Sequence, residues 1–144
     1  MKYFVMGSIY FVRLDPGEKV MASLRALCER DKIGAGFFEG LGAVTEAEIA
    51  HFDPASHDYG ATHILDPCEV VSLTGNITVV DGKPSIHAHI ALGDREFRVR
   101  GGHLREAVVS ATVEITLTRL FEDIGRKRDP KTGLFVLDLK PDGT

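Results

Sequence analysis

Apolar and polar positions along the chain fall into many short alternating runs and one stretch of helical period. Tyr3 to Leu14 is rich in β-branched and aromatic residues and reads as a strand. Asp15-Pro16-Gly17-Glu18 then reads as a helix start. Asp15 is placed to cap, Pro16 suits the first helical position, and Glu18 can reach back as in a capping box. Val20, Met21, Leu24, Leu27 and Cys28 recur at helical spacing, with Gly34 as a stop just past Lys32, so the pattern predicts a helix over 17–32. After it, Ala35 to Leu41 and Ala43 to Phe52 are extended around Gly40 and Gly42. Asp53-Pro54-Ala55-Ser56 is a turn, and Tyr59 to Leu65 a short edge strand broken by Asp66-Pro67. From Glu69 to Val80, strict alternation puts Val71, Leu73, Ile77 and Val79 on one face and Ser72, Thr74, Asn76 and Thr78 on the other. Asp81-Gly82 marks a tight hairpin. Pro84 to Leu92 and Glu96 to Arg100 follow as strands joined at Gly93-Asp94, then Val108 to Phe121 and Leu134 to Leu139. Many strands and one good helix predict an α+β (loosely α/β) fold with a mainly antiparallel sheet, in a single domain over 1–144.

Composition narrows the function classes. The net charge is −4. Residues 1–72 carry 6 Lys and Arg against 11 Asp and Glu, and residues 73–144 carry 11 against 10. Neither half is the strongly basic body of an autonomous nucleic-acid binder. No apolar run approaches the roughly 20 residues of a membrane span. The N-terminus lacks the apolar core and cleavage site of a signal peptide, so the expected location is the cytoplasm. Cys28 and Cys68 belong to no C-x-x-C pair and are expected to be reduced thiols. Gly34-x-Gly36 and Gly40-x-Gly42 open no helix after a strand, and no G-K-[ST] follows, which excludes the common nucleotide-binding loops. The serines lack a nucleophile-elbow context.

The chemistry concentrates in Ser85-Ile86-His87-Ala88-His89-Ile90-Ala91-Leu92. Ile86, Ala88, Ile90 and Leu92 share one face of a strand; His87 and His89 share the other. Imidazoles two apart on one strand can chelate one ion, and zinc commonly takes three protein ligands plus water. Nickel, copper or iron suit the same donors. His103 is the natural third ligand. A two-residue turn at Gly93-Asp94 would pair Leu92 with Arg95, Ile90 with Phe97 and Ala88 with Val99, bringing His103 beside the pair. Strict alternation then puts His103 on the aliphatic face, and a bulge at Gly101-Gly102 would return it to the histidine face. The alternative is a merely solvated polar face. His51, His57 and His63 lack such geometry and read as surface residues. Glu39 and Glu114 are carboxylates in apolar runs; near a metal either could orient a ligand or serve as base, and otherwise they are exposed or paired.

Leu14-Asp15-Pro16-Gly17-Glu18, Gly36-Phe37-Phe38-Glu39-Gly40-Leu41-Gly42-Ala43-Val44, Glu69-Val70-Val71-Ser72-Leu73-Thr74-Gly75-Asn76 and His87-Ala88-His89 … Gly101-Gly102-His103-Leu104 occur in that order. The ordered set resembles the PPC (plant-and-prokaryote-conserved) domain, also classed as a PD1-like DNA-binding family, over about residues 11–120. The resemblance implies a compact domain with a mainly antiparallel sheet that assembles as a homotrimer. In plant relatives it implies an AT-hook ahead of the domain. In stand-alone prokaryotic relatives it implies a metal, zinc above all, on histidines matching His87, His89 and His103. The chain has no Arg-Gly-Arg-Pro core and is expected to be of the stand-alone type. Gly125-Arg126-Lys127-Arg128-Asp129-Pro130 is the nearest imitation, a short cationic cluster with acids around it, expected to lie in a loop. Arg126, Lys127 and Arg128 are therefore weak candidates for DNA contact.

The leading reading is a metal-binding trimeric domain with a regulatory or DNA-associated role. The alternatives are a zinc-dependent, hydrolase-like enzyme and a small-molecule sensor using the same site. The trimer reading places Val109, Val113 and Leu117 on strand faces covered by neighbouring subunits.

Overall fold

The structure is a computed structural model and describes residues 1–140; the last four residues of the expected 1–144 domain lie outside it. The strands are β1 (Lys2–Met6), β2 (Ile9–Leu14), β3 (Gly36–Asp53), β4 (Asp58–Ile64), β5 (Cys68–Val80), β6 (Lys83–Gly93), β7 (Val99–Arg119), β8 (Arg126–Arg128) and β9 (Phe135–Leu137), with one helix, α1 (Val20–Asp31). Strands β1 to β7 form one sheet, and every pairing between named strands is antiparallel. The architecture is therefore α+β, and the looser α/β label does not apply. Successive pairings β3–β5, β5–β6, β6–β7 and β7–β3 close on themselves. Most of the wall thus has no free edge, and β1 and β4 remain as the outer strands.

Two long, bent strands make that closure possible. β3 runs through the two extended segments expected around Gly40 and Gly42, with a register shift between those glycines. Gly42 holds φ at +146°, and a Cβ there would collide with the Thr112 carbonyl, so only glycine fits. β7 likewise merges two expected strands into 21 residues, pairing with β6 at one end, β2 at the other, and β3 along most of its length. The expected Tyr3–Leu14 strand is instead a hairpin: Gly7, at φ +61°, turns the chain between β1 and β2.

The helix starts later than the capping pattern predicts. Lys19 occupies the cap position and its side chain makes no capping bond. The cap comes from β7 instead: Glu106 accepts from the Met21 N–H at 2.8 Å and the Ala22 N–H at 3.2 Å. A carboxylate at a helix N-terminus also meets the positive end of the dipole. Glu18 does reach back to the Asp15 N–H, at 2.8 Å, but within a turn ahead of the helix. At the other end Lys32, not Gly34, takes the left-handed conformation, at φ 53°.

The predicted apolar helix face, Val20, Met21, Leu24, Leu27 and Cys28, is buried and packs on β6 and β7. It meets Leu14, Ile33, Leu73, Ile77, Leu92, Leu104, Ile115 and Leu117 in one core. Val109, Val113 and Leu117 belong to this core and are buried by their own chain, which corrects the expectation that a neighbour covers them. Cys28 and Cys68 are free and buried, and burial pushes the Cys28 thiol up to about 12. No helix among the described residues is long and apolar enough to cross a membrane.

Candidate metal centre

Alternation along β6 sends Ala88, Ile90 and Leu92 into the core and leaves His87 half-buried and His89 exposed on the outer face. His103 reaches them by a simpler route than expected. The loop after β6 is not a two-residue turn. It spans Asp94 to Arg98, organised by Asp94, whose carboxylate accepts from the Glu96 and Arg98 N–H groups at 3.0 Å each. The longer loop shifts the register, so that Leu92 faces Arg100 and His89 faces His103 directly. Residues opposite one another in an antiparallel ladder share a face, and no bulge is needed to bring His103 round.

Gly101 and Gly102 stand in regular ladder positions opposite Ala91 and Ile90. A Cβ on Gly101 would sit 2.5 Å from the Ile90 carbonyl oxygen, and one on Gly102 would sit 2.8 Å from that of Ala50. Their role is to let β7 lie close against both neighbours, which holds His103 beside β6.

The three rings converge. Centroid separations are 5.1 Å for His87–His89, 5.1 Å for His87–His103 and 5.7 Å for His89–His103. One nitrogen from each lies within 4.8 Å of the others. Nitrogens bound tetrahedrally to one zinc lie about 3.3 Å apart, so small ring movements close the site. His103 Nδ1 is buried with no hydrogen-bond partner, a donor set missing its acceptor. Burial, then the neighbouring His103 and His89, push His87 down to about 4, and burial also lowers His103. Both rings are therefore neutral at physiological pH, the form that binds a metal. The residues fit a divalent transition ion.

The surroundings were only partly legible. The Asp81-Gly82 turn pairs Val80 with Lys83, which places Asn76 opposite His87 and Thr74 opposite His89, as the hairpin signal allows one to count. Tyr59 packs against His103 at 5.3 Å between centroids, and nothing local in the sequence marks it. Glu39 and Glu114 are exposed and line a groove of about 760 Å³ with Phe4, Phe11, Leu41 and Val71. His51, His57 and His63 are exposed, as expected.

The basic cluster is not a loop. Arg126–Arg128 is β8, paired with β9. Arg126 lies across β5: its Nε donates to Thr78 Oγ1 at 2.8 Å, Nη2 to Asn76 Oδ1 at 2.7 Å, and Nη1 to the Phe135 carbonyl at 2.7 Å. Lys127 pairs with Asp138 at 2.7 Å, and Arg128 donates to the Gly133 carbonyl at 3.3 Å.

Residues 1–121 match the model of the Plants and Prokaryotes Conserved (PCC) domain. The chain belongs to the PCC domain family. Its fold is shared with a candidate DNA-binding protein from Bacteroides thetaiotaomicron, at 28% identity and a TM-score of 0.93 over 95% of this chain and 96% of that one. It is shared too with a metal-containing protein from Archaeoglobus fulgidus, at 34% identity and a TM-score of 0.84 over 93% and 95%. A curated relative, the bifunctional protein GlmU of a Synechococcus strain, is 30% identical over 135 residues. The PCC chain spans about one fifth of the length of the curated relatives it matches. The β8–β9 ribbon lies beyond the residues that the PCC model matches.

Proposed function

We propose that this PCC-domain protein binds one divalent transition metal per chain, zinc first among them, on His87, His89 and His103, and works as a homotrimer. The observation that carries the metal is the convergence of three imidazoles with an orphaned ring nitrogen and no carboxylate among them. A relative at 34% identity is described as metal-containing, which supports the same reading. Support for assembly comes from the groove, where Phe4, Phe11, Leu41 and Val71 stand exposed together on the outer sheet face. Contiguous exposed apolar surface of this kind marks interaction sites. The direct test is metal analysis of untagged protein together with light scattering at low micromolar concentration.

Three protein ligands, with His89 open to solvent, match the pattern of catalytic rather than closed structural zinc sites. This favours, as second reading, a zinc-dependent enzyme of hydrolase type over a purely structural ion. When bound, the ion would supply Lewis acidity toward a fourth ligand. His87, His89 and His103 would hold it, and Tyr59 would wall the site on the His103 side. Screening the zinc-loaded protein against ester and amide substrates, with His89→Ala as control, tests that reading.

A DNA-associated role rests on the naming of relatives such as the Bacteroides protein. The molecule itself offers little for it: the net charge is −4, Arg126 is engaged by the sheet and Lys127 by Asp138. Affinity for duplex DNA grows with the number of phosphates neutralised. The reading supported here is weak, salt-sensitive contact at most.

A further inference from the structure

Arg126 is bound to the sheet through neutral acceptors alone: a hydroxyl, a side-chain amide and a backbone carbonyl. Its neighbour Lys127 is paired with Asp138, but Arg126 has no carboxylate within ion-pair distance among the described residues. A half-buried guanidinium without a counter-charge is costly. It is also held rigidly, with three of its five N–H groups committed and the remaining Nη hydrogens available.

Its place gives the unmatched charge a meaning. Asn76, which fixes Nη2, stands directly opposite His87 on the same face. No carboxylate belongs to the three-histidine group, and Asn76 links the His87 position to the Arg126 guanidinium. Three neutral imidazoles would leave both charges of a divalent ion uncompensated, with the guanidinium adding a third. The planar fork of arginine matches the paired oxygens of carboxylate and phosphate.

We propose that the His87, His89 and His103 centre takes a small oxyanion, a carboxylate or a phosphate, whose oxygens meet the metal's open position and the Arg126 guanidinium together. This rests on the metal reading above and adds to it the class of ligand. Arg126 then serves as a binding residue, and the β8–β9 ribbon, which lies beyond the residues matched by the family model, is what supplies it.

The test uses the full chain loaded with zinc, titrated separately with sodium phosphate and sodium acetate. Calorimetry follows anion binding, and zinc content is measured in the same samples. The wild type should bind one or both anions, and the Arg126 Nε–H resonance should shift on saturation, a readout that needs no variant. The response to each salt tells phosphate from carboxylate preference. Arg126→Gln should weaken binding roughly tenfold or more while keeping its zinc, given the strength of charge-assisted hydrogen bonds. Arg126→Lys should recover part of the loss, and Lys127→Ala, which removes a neighbouring charge, should change little. Equal affinity in Arg126→Gln and wild type, an unmoved Nε–H resonance, or no binding of either anion by zinc-loaded protein overturns the proposal and leaves the metal reading standing. Failure of the wild type to take up zinc overturns the metal reading, and this proposal with it.

Discussion

The histidine centre and the apolar groove adjoin on the outer face of one sheet, since Thr74 lines the groove and faces His89 across the β5–β6 ladder. They are made of opposite materials. At the centre, three ligating side chains converge and the flanking positive charge is unmatched. In the groove, apolar side chains stand out while Lys2, Arg13, Glu39 and Glu114 are spread around it. Convergent donors with one orphaned nitrogen are the arrangement for a ligand; dispersed charges around exposed phenylalanines are the arrangement for another protein surface. The core beneath is common to both, so a substitution at either place can be judged against an unchanged scaffold.

The largest expected effect comes from charging the groove. Leu41, 59% exposed, has little to lose in an isolated chain, so Leu41→Asp should change the stability of a monomer by no more than about 0.5 kcal/mol. It should nevertheless reduce the mass by light scattering from about three chains to the 15.7 kDa of one, with metal content retained. Val113→Asp provides the contrast: Val113 is fully buried by its own chain, and a charge there should prevent folding. Unchanged assembly in Leu41→Asp would remove the groove from the account.

Next comes His89→Ala, which should lower metal affinity by more than the 10–100-fold typical of residues that only support a ligand. Assembly and far-ultraviolet circular dichroism should match the wild type, because Ala88 and Ile90 on the core face are untouched. Loss of the fold instead would mean that the centre is structural.

A smaller effect concerns pH in metal-free protein. His87 is held at about 4 against an ordinary 6.5, so between those values the unfolded chain binds more protons than the folded one. Stability should therefore fall as pH drops from about 6.5 toward 4, with no further loss from this group below that. His103, shifted in the same direction, adds to the trend. His87→Gln should flatten the profile in thermal melts; an identical profile in that variant would show that the buried imidazole is not its source.

The smallest effect is on DNA. Arg126→Gln and Lys127→Ala should barely change an already weak affinity for A·T-rich duplex near physiological salt. Submicromolar binding by the wild type would make the ribbon, rather than the histidine centre or the groove, the functional surface.

What the sequence disclosed follows from how local each feature is. The helix face and the His87-x-His89 pair were legible because periodicity alone decides them. The Asp81-Gly82 hairpin was legible because Asp81 and Gly82, at φ 51° and 74°, need the left-handed conformation their types favour. The β6–β7 register was not, since a five-residue loop held by the Asp94 carboxylate looks like a shorter glycine turn. A two-residue turn would require a bulge at Gly101-Gly102 to bring His103 round; the longer loop does not. In β5 a register shift between Val70 and Ser72 breaks the alternation, leaving Val71 exposed and burying Val70, contrary to the period-2 reading. Arg126 and Glu106 act 48 and 85 residues from their partners, and no local pattern reports such contacts.

The central claim is that His87, His89 and His103 form one metal centre, and untagged protein purified without added chelator tests it most directly. Elemental analysis of that protein should give close to one transition metal ion per chain, zinc first, and the same preparation of His103→Ala should give almost none. A wild-type preparation without stoichiometric transition metal, and unable to take up zinc on dialysis against it, would contradict the account.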